Sequence, residues 1–287
     1  MITDPANIAD VLVRALPYIR RFAGKVVVLK MGGAAMTDAE LGLFAEDVLL
    51  LRSVGVRPVV VHGGGPQIGE LMQRLGKVPS FVEGQRVTDA ETLEIARMVL
   101  VGKINRELVS AINRDDPVAV GLSGEDARMI TAVPRDPALG FVGDVSHVDP
   151  SIVLKLLNEG LVPVIATIGR DLAGQAYNIN ADAAAAAIAA ALGAEKIVYL
   201  TGAPGLLEDA SDPDSVVSRL TPADLRDRLA RKTVEGGMIP KLQACADAVD
   251  AGVASAHILD GRVPHVLLIE LFTDEGIGTM VEAGDPQ

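Results

Sequence analysis

Tryptophan is absent from the 287-residue chain, and phenylalanine and tyrosine together supply only 3% of it. A core must therefore be built from Ala, Val, Leu and Ile, which the 49% hydrophobic fraction permits. Cysteine occurs once, at Cys245, which excludes an intrachain disulfide framework and suits a reducing cytosol. Basic residues are the minority: 26 Lys and Arg against 38 Asp and Glu give a formal charge of −12. Non-specific nucleic-acid binding needs a basic face, so that class is excluded. Long apolar runs are lacking as well. The nearest, residues 183–194 (AAAAAIAAALGA), is too short and too alanine-rich to cross a bilayer. The opening MITDPANIAD has neither the basic segment nor the apolar block of a secretion signal, so a soluble, cytoplasmic protein without membrane contact is expected.

What is present centres on residues 26–33, VVVLKMGG. Val and Leu without polar alternation predict a strand covered on both faces. Lys30 closes that strand, and Gly32 and Gly33 let the backbone turn close to a ligand. Open α/β sheets bind ligands at the carboxyl ends of their strands, which is where this lysine falls. A second strand, Pro58 to His62, runs into Gly63, Gly64 and Gly65 and then into a helix opened by Pro66. Strand, glycine turn and helix start together form a cradle for phosphate, because free N–H groups point at the anion. Arg86 precedes a long helix for which Thr88 and Glu91 have capping-box spacing. Asn178, Asn180 and Asp182 cluster before an alanine helix, and capping accounts for only part of that cluster. Pro240 suits a first helical position, which places Lys241 in the first turn, at the wrong end of the helix dipole for a cation.

Elsewhere, residues 7–22 carry an apolar helical stripe interrupted by Pro17, which predicts a kink or a break. Residues 139–148 read as a hairpin or loop excursion, and HILDGRVPHVLLIELF reads as a turn followed by a long buried strand. Strands alternating with helices along the whole chain predict an α/β protein with a doubly wound, mainly parallel sheet. Two glycine turns and two lysines at anion-facing positions point to phosphoryl transfer, in which positioning and charge neutralisation carry most of the catalysis. A dinucleotide-dependent oxidoreductase is disfavoured, since no G-x-G-x-x-G follows a strand.

The motifs KMGGAAM, VVHGGGPQI, EGQRVT, GLSGED, NINADAAA, GGMIPKL and the HILDGR region stand in one order from the first helix to residue 281. In that order they resemble the amino acid kinase family and, within it, the N-acetylglutamate kinases of the arginine-sensitive, hexameric type. The resemblance implies a three-layer αβα sandwich with a central, mainly parallel sheet. It implies transfer of the γ-phosphate of ATP to the side-chain carboxylate of N-acetyl-L-glutamate, a step of arginine biosynthesis, with Mg2+ held by ATP oxygens and water rather than by protein ligands. By the same resemblance Lys30 and Lys241 neutralise phosphate oxygens and Asp182 orients both lysines. Gly33, Gly64 and Gly65 line the substrate and phosphate path, while Arg86, Asn178 and Asn180 belong to the acetylated amino acid's site. Residues 1–24 would be an oligomerisation helix, 25–175 an amino-acid lobe, and 176–287 a nucleotide lobe with a C-terminal regulatory region. His257, Glu270 and Gly276 would bind L-arginine as inhibitor, and the assembly would be a homo-oligomer, a hexamer of three dimers. Met31 and Ala34 stand where arginine-inhibited members commonly have Tyr and Asn, and Glu125 stands where a Lys is common. The alternatives left open are a kinase for an aminoadipate derivative, aspartate or a nucleoside monophosphate, and a non-catalytic nucleotide or oxyanion store. The RVT and NINAD stretches favour an acylated acidic amino acid, and the lack of a regulatory domain after residue 287 argues against an aspartokinase.

Overall fold

The computed structural model describes residues 5–32, 37–82, 84–209, 211–234, 236–273 and 276–284; Gly33 and Ala34 lie outside them. The chain opens with α1 (Pro5–Phe22), one helix that runs through Pro17 without a break. The carbonyl that Pro17 leaves without its usual donor is that of Val13, a residue 68% exposed, so water can take the vacant place. Only Phe22 of this helix is buried.

Next come β1 (Val26–Met31), α2 (Asp38–Ser53), β2 (Arg57–His62), α3 (Gly65–Arg74) and a hairpin of β3 (Phe81–Val82) with β4 (Gln85–Arg86). α4 (Ala90–Arg97) passes through a π-helical segment, Met98–Ile104, into α5 (Asn105–Ile112). The cap of α4 is not the expected Thr88–Glu91 box. Asp89 accepts from the Thr92 N–H instead, because the Thr88 hydroxyl already donates to the Arg86 carbonyl at 3.0 Å and Thr88 bridges to Gly140. The second half contains β5 (Ala119–Ser123), β6 (Ile130–Pro134), β7 (Val142–Val148), α6 (Ser151–Asn158), β8 (Val162–Ala166), β9 (Ile168–Arg170) and β10 (Ala176–Ile179). It ends with α7 (Ala181–Ala191), β11 (Lys196–Thr201), β12 (Arg219–Leu220), α8 (Pro222–Ala230), α9 (Met238–Asp250), β13 (Ser255–Asp260), α10 (Val266–Phe272) and β14 (Thr279–Glu282). The excursion expected at 139–148 is mostly β7, paired antiparallel with β6. The long strand expected after His257 is also corrected: β13 stops at Asp260, and the apolar run that follows forms α10. A seven-residue apolar run has no period that separates strand from helix, and here the amphipathic packing partners decide.

Eight strands form the main sheet in the order β12-β14-β13-β11-β1-β2-β8-β5, parallel except where β14 runs against β13. β1 lies between β11 and β2, and all six of its residues are buried. Successive residues serve opposite faces. Val26 and Val28 join Val59, Ile197, Tyr199 and residues of α7 and α9 on one side. Val27, Leu29 and Met31 join Val60, Leu200 and residues of α2, α3 and α10 on the other. Each such side chain contributes about 1.5–3 kcal/mol of burial, and helices on both faces make the predicted three-layer αβα sandwich. β10, β7, β6 and β9 close into a separate small sheet. On α7 the buried Ala184, Ala185 and Ala189 let the helix lie close against α9 and β1, which brings the start of α7 to the end of β1.

Candidate active site

Lys30 is the penultimate residue of β1, and Asp182 is the second residue of α7. Lys30 Nζ lies 2.7 Å from Asp182 Oδ1. Lys241, in the first turn of α9, donates to both carboxylate oxygens at 3.1 and 3.2 Å. All three residues are 7% exposed, so two ammonium groups share one carboxylate away from bulk water. α9 starts at Met238, two residues earlier than the position of Pro240 suggested, yet Lys241 remains in its first turn. Burial would raise the Asp182 carboxyl, but the two lysine charges outweigh it and hold the group below its ordinary value. Burial lowers the Lys30 ammonium, with Asp182 pulling the other way and Lys241 reinforcing the drop. The Lys241 ammonium also sits 5.3 Å from the Tyr199 ring centroid, and the Tyr199 hydroxyl donates to the Asp182 carbonyl at 3.3 Å.

Lys30 and Asp182 open onto a cleft of about 270 Å³. Gly63, Gly64 and Gly65 form another wall, as the turn from β2 into α3. Gly64 is required by space: a Cβ there would stand 2.1 Å from Ile104 Cδ1 and 2.9 Å from Leu100 Cδ2. Arg86, Asn178 and Asn180 line the same cleft, whereas Lys241 is joined to it through Asp182 rather than standing on its wall, and Gly33 lies outside the described residues. Arg86 donates to the Gly65 carbonyl at 2.8 Å, its guanidinium stacks 4.9 Å from the Phe81 ring centroid, and burial lowers its pKa. Asn178 donates to the Thr88 hydroxyl at 3.4 Å. Asn180 is the cap of α7, accepting from the Asp182 and Ala183 N–H groups at 2.9 and 3.1 Å. Local helix chemistry thus accounts for Asn180, and it also fixes the start of α7 that carries Asp182.

His257 of β13 and Glu270 of α10 meet elsewhere, beside Lys196 at the start of β11, and none of the three lines the cleft. His257 Nδ1 lies 2.8 Å from Glu270 Oε1, and Lys196 donates to the same oxygen at 2.9 Å. Lys196, not anticipated from the sequence, reaches 5.5 Å from the Phe22 ring at the end of α1. Gly276 sits between α10 and β14. Of the departures, Met31 is a core residue and Glu125 pairs with Arg97 at 3.1 Å. Sequence reasoning also missed His62, Asn105 and Tyr199, of which only a histidine directly before three glycines left a visible sign.

The profile of the amino acid kinase family matches residues 25–260. This chain belongs to the amino acid kinase family. It is 54% identical to an acetylglutamate kinase of Symbiobacterium thermophilum, over 95% of this chain and 97% of that one. It is 52% identical to an acetylglutamate kinase of Acidothermus cellulolyticus, over 95% and 96%. Among solved structures, an N-acetylglutamate synthase from Neisseria gonorrhoeae complexed with coenzyme A and N-acetyl-glutamate superposes with a TM-score of 0.85 at 26% identity. That match covers 97% of this chain but 64% of the synthase, which is the longer protein. A carbamate kinase from Giardia shares the fold, with a TM-score of 0.69 at 16% identity over 91% of this chain.

Proposed function

We propose that this kinase transfers the γ-phosphate of ATP to the side-chain carboxylate of N-acetyl-L-glutamate, giving N-acetylglutamyl 5-phosphate and ADP in arginine biosynthesis. The observation that carries the proposal is that Lys30 and Asp182, with Lys241 buried behind the carboxylate, share one cleft with a glycine turn and an arginine. The family relatives named acetylglutamate kinase supply the acceptor. A carboxylate oxygen attacks the γ-phosphorus as the bond to the β-bridging oxygen breaks, and the acceptor needs no general base because it is already ionised at neutral pH. Lys30 and Lys241 meet the charge that develops on the phosphoryl oxygens, worth most in a water-poor site. Asp182 holds both ammonium groups in place. Gly64 and Gly65 border the phosphoryl path, and Arg86 with Asn178 and Asn180 holds the acetylated amino acid.

Asp182 is the single carboxylate among the described residues lining the cleft, and the lysines take both its oxygens. That suits magnesium carried by the nucleotide's own oxygens and water, where it supplies further positive charge to the phosphates. In this reading residues 25–175 form the amino-acid lobe, completed at the boundary by Asn178 and Asn180, and 176–287 the nucleotide lobe, in the cytoplasm. L-arginine would bind at His257, Glu270 and Gly276, and α1 would join dimers into a hexamer. Ile8, Val11, Leu12 and Leu16 of α1 are 40–62% exposed, and the helix ends beside the Lys196–Glu270 pair, which supports a coupling between the two. Hydroxylamine trapping of the acyl phosphate, with ATP and N-acetylglutamate, glutamate, aspartate or N-acetyl-aminoadipate, tests the assignment. Hydroxamate from N-acetylglutamate far above the other acids is expected; preference for another acid would overturn it.

A further inference from the structure

We propose that His62 and Asn105 are positioning residues that aim the Gly64 N–H into the cleft. The inference rests on the kinase reading above and deepens it. His62 ends β2 directly before the glycine turn and is fully buried. Asn105, also fully buried, follows the π-helical segment, and its side-chain amide nitrogen lies 2.8 Å from the Val164 carbonyl, 3.1 Å from His62 Nε2 and 3.3 Å from the Leu122 carbonyl; a nitrogen that only donates makes Nε2 an acceptor. Asn105 Oδ1 in turn accepts from Arg106, so the orientation of the amide is set from both ends. An Nε2 that accepts leaves the ring proton on Nδ1, and Nδ1 stands 3.2 Å from the Gly63 carbonyl, to which it donates. A trans peptide is planar, with its C=O and N–H pointing opposite ways. Drawing the Gly63 oxygen back to the imidazole therefore turns the Gly64 N–H toward the cleft. No backbone carbonyl among the described residues receives that N–H.

The π-helical segment fixes the same turn sterically, since Leu100 and Ile104 close on the space beside Gly64. Burial keeps His62 neutral, its pKa pushed down to about 4, so the ring can accept from Asn105 and donate to Gly63 at once. Gly121 makes room for the arrangement, because a Cβ there would stand 1.9 Å from Asn105 Oδ1.

Two isosteric replacements separate aiming from mere packing. In His62→Asn the amide nitrogen takes the place of Nδ1 and keeps the donation to Gly63. In His62→Gln the amide oxygen takes the place of Nε2 and still accepts from Asn105, while the donation to Gly63 is lost. Turnover of N-acetylglutamate and Mg-ATP is measured for the intact protein, both variants and Asn105→Ala, with the melting temperature of each. His62→Asn is expected within about threefold of the parent kcat, and His62→Gln and Asn105→Ala at least about tenfold below it, less than the roughly 10²–10³ that outright removal of one such donor costs, because the N–H is misaimed rather than removed. The KM for N-acetylglutamate should move less than kcat. Equal losses in the two His62 variants, or losses that follow melting temperature alone, overturn the positioning role. A parent without any acyl phosphate product would instead refute the kinase reading, so the two failures are distinct.

Discussion

Replacing Asp182 by Asn removes one negative charge from between two buried lysines while leaving the shape of the side chain nearly intact. With ammonium–carboxylate distances of 2.7 and 3.1 Å, each lost attraction is worth roughly 5–6 kcal/mol at an effective dielectric constant of about 20. The protein has a cheaper response. A lysine sheds its proton at neutral pH for about 4–5 kcal/mol, the distance from its ordinary pKa at 1.36 kcal/mol per unit. Lys30 is the residue expected to do so, since burial already lowers its ammonium and Asp182 is the charge that holds it up. The sign follows from the role: a lysine must be charged to meet phosphate oxygens, so a lowered pKa confines the active form to lower pH. Asp182→Asn should therefore lose roughly 10²–10³ in turnover at pH 7.5, the scale of one missing electrostatic contact. Part of the loss should be regained as the pH is lowered toward 6. Hydroxamate formation between pH 5.5 and 9 reads both effects. Turnover within tenfold of the parent, with an unchanged pH profile, would refute the reasoning.

Arg86→Ala should raise the KM for N-acetylglutamate far more than that for ATP, because Arg86 lies on the cleft wall away from the lysine cluster; steady-state kinetics with each substrate varied checks it. Gly64→Ala should destabilise by about 1–3 kcal/mol through overpacking, since the added methyl meets Ile104 Cδ1 at 2.1 Å. Adding Ile104→Val removes that carbon and should restore most of the melting temperature. Deleting residues 1–22 should yield active dimers by light scattering, with arginine sensitivity weakened. Glu270→Ala should abolish inhibition while the hexamer persists, and an intact protein that is a dimer indifferent to millimolar arginine would remove the regulatory part of the proposal.

The doubly wound, mainly parallel sheet was legible because its central strands are short apolar runs with punctuation at both ends, as at Val26–Met31 and Arg57–His62, while the three-layer sandwich was implied by the family resemblance. Lys30 and Lys241 could be singled out because each sits where an ordinary lysine gains nothing. That Asp182 pairs with both was legible only through the family resemblance, since the three lie on β1, α7 and α9, far apart in sequence. Thr88 was misread as a cap because the capping pattern is local, whereas the bridge to Gly140 that engages Thr88 is not. α10 was misread because VLLIELF is apolar at both strand and helix spacing. The His62–Asn105 contact spans 43 positions and depends on a π-helical segment, which no spacing rule marks.

Tyr199, beneath Lys241 and bonded to the Asp182 carbonyl, gives the molecule an optical reporter of its own. No indole is present to mask it, and the chain has three tyrosines. Burial pushes the Tyr199 phenol well above its ordinary value, so it stays protonated through the alkaline range in which an exposed tyrosine ionises. Its near-ultraviolet absorption should therefore respond to the charge of the neighbouring lysines rather than to bulk pH. A phosphate group brought beside those lysines is expected to shift the tyrosine spectrum of the unlabelled protein, a shift that Tyr199→Phe should lack.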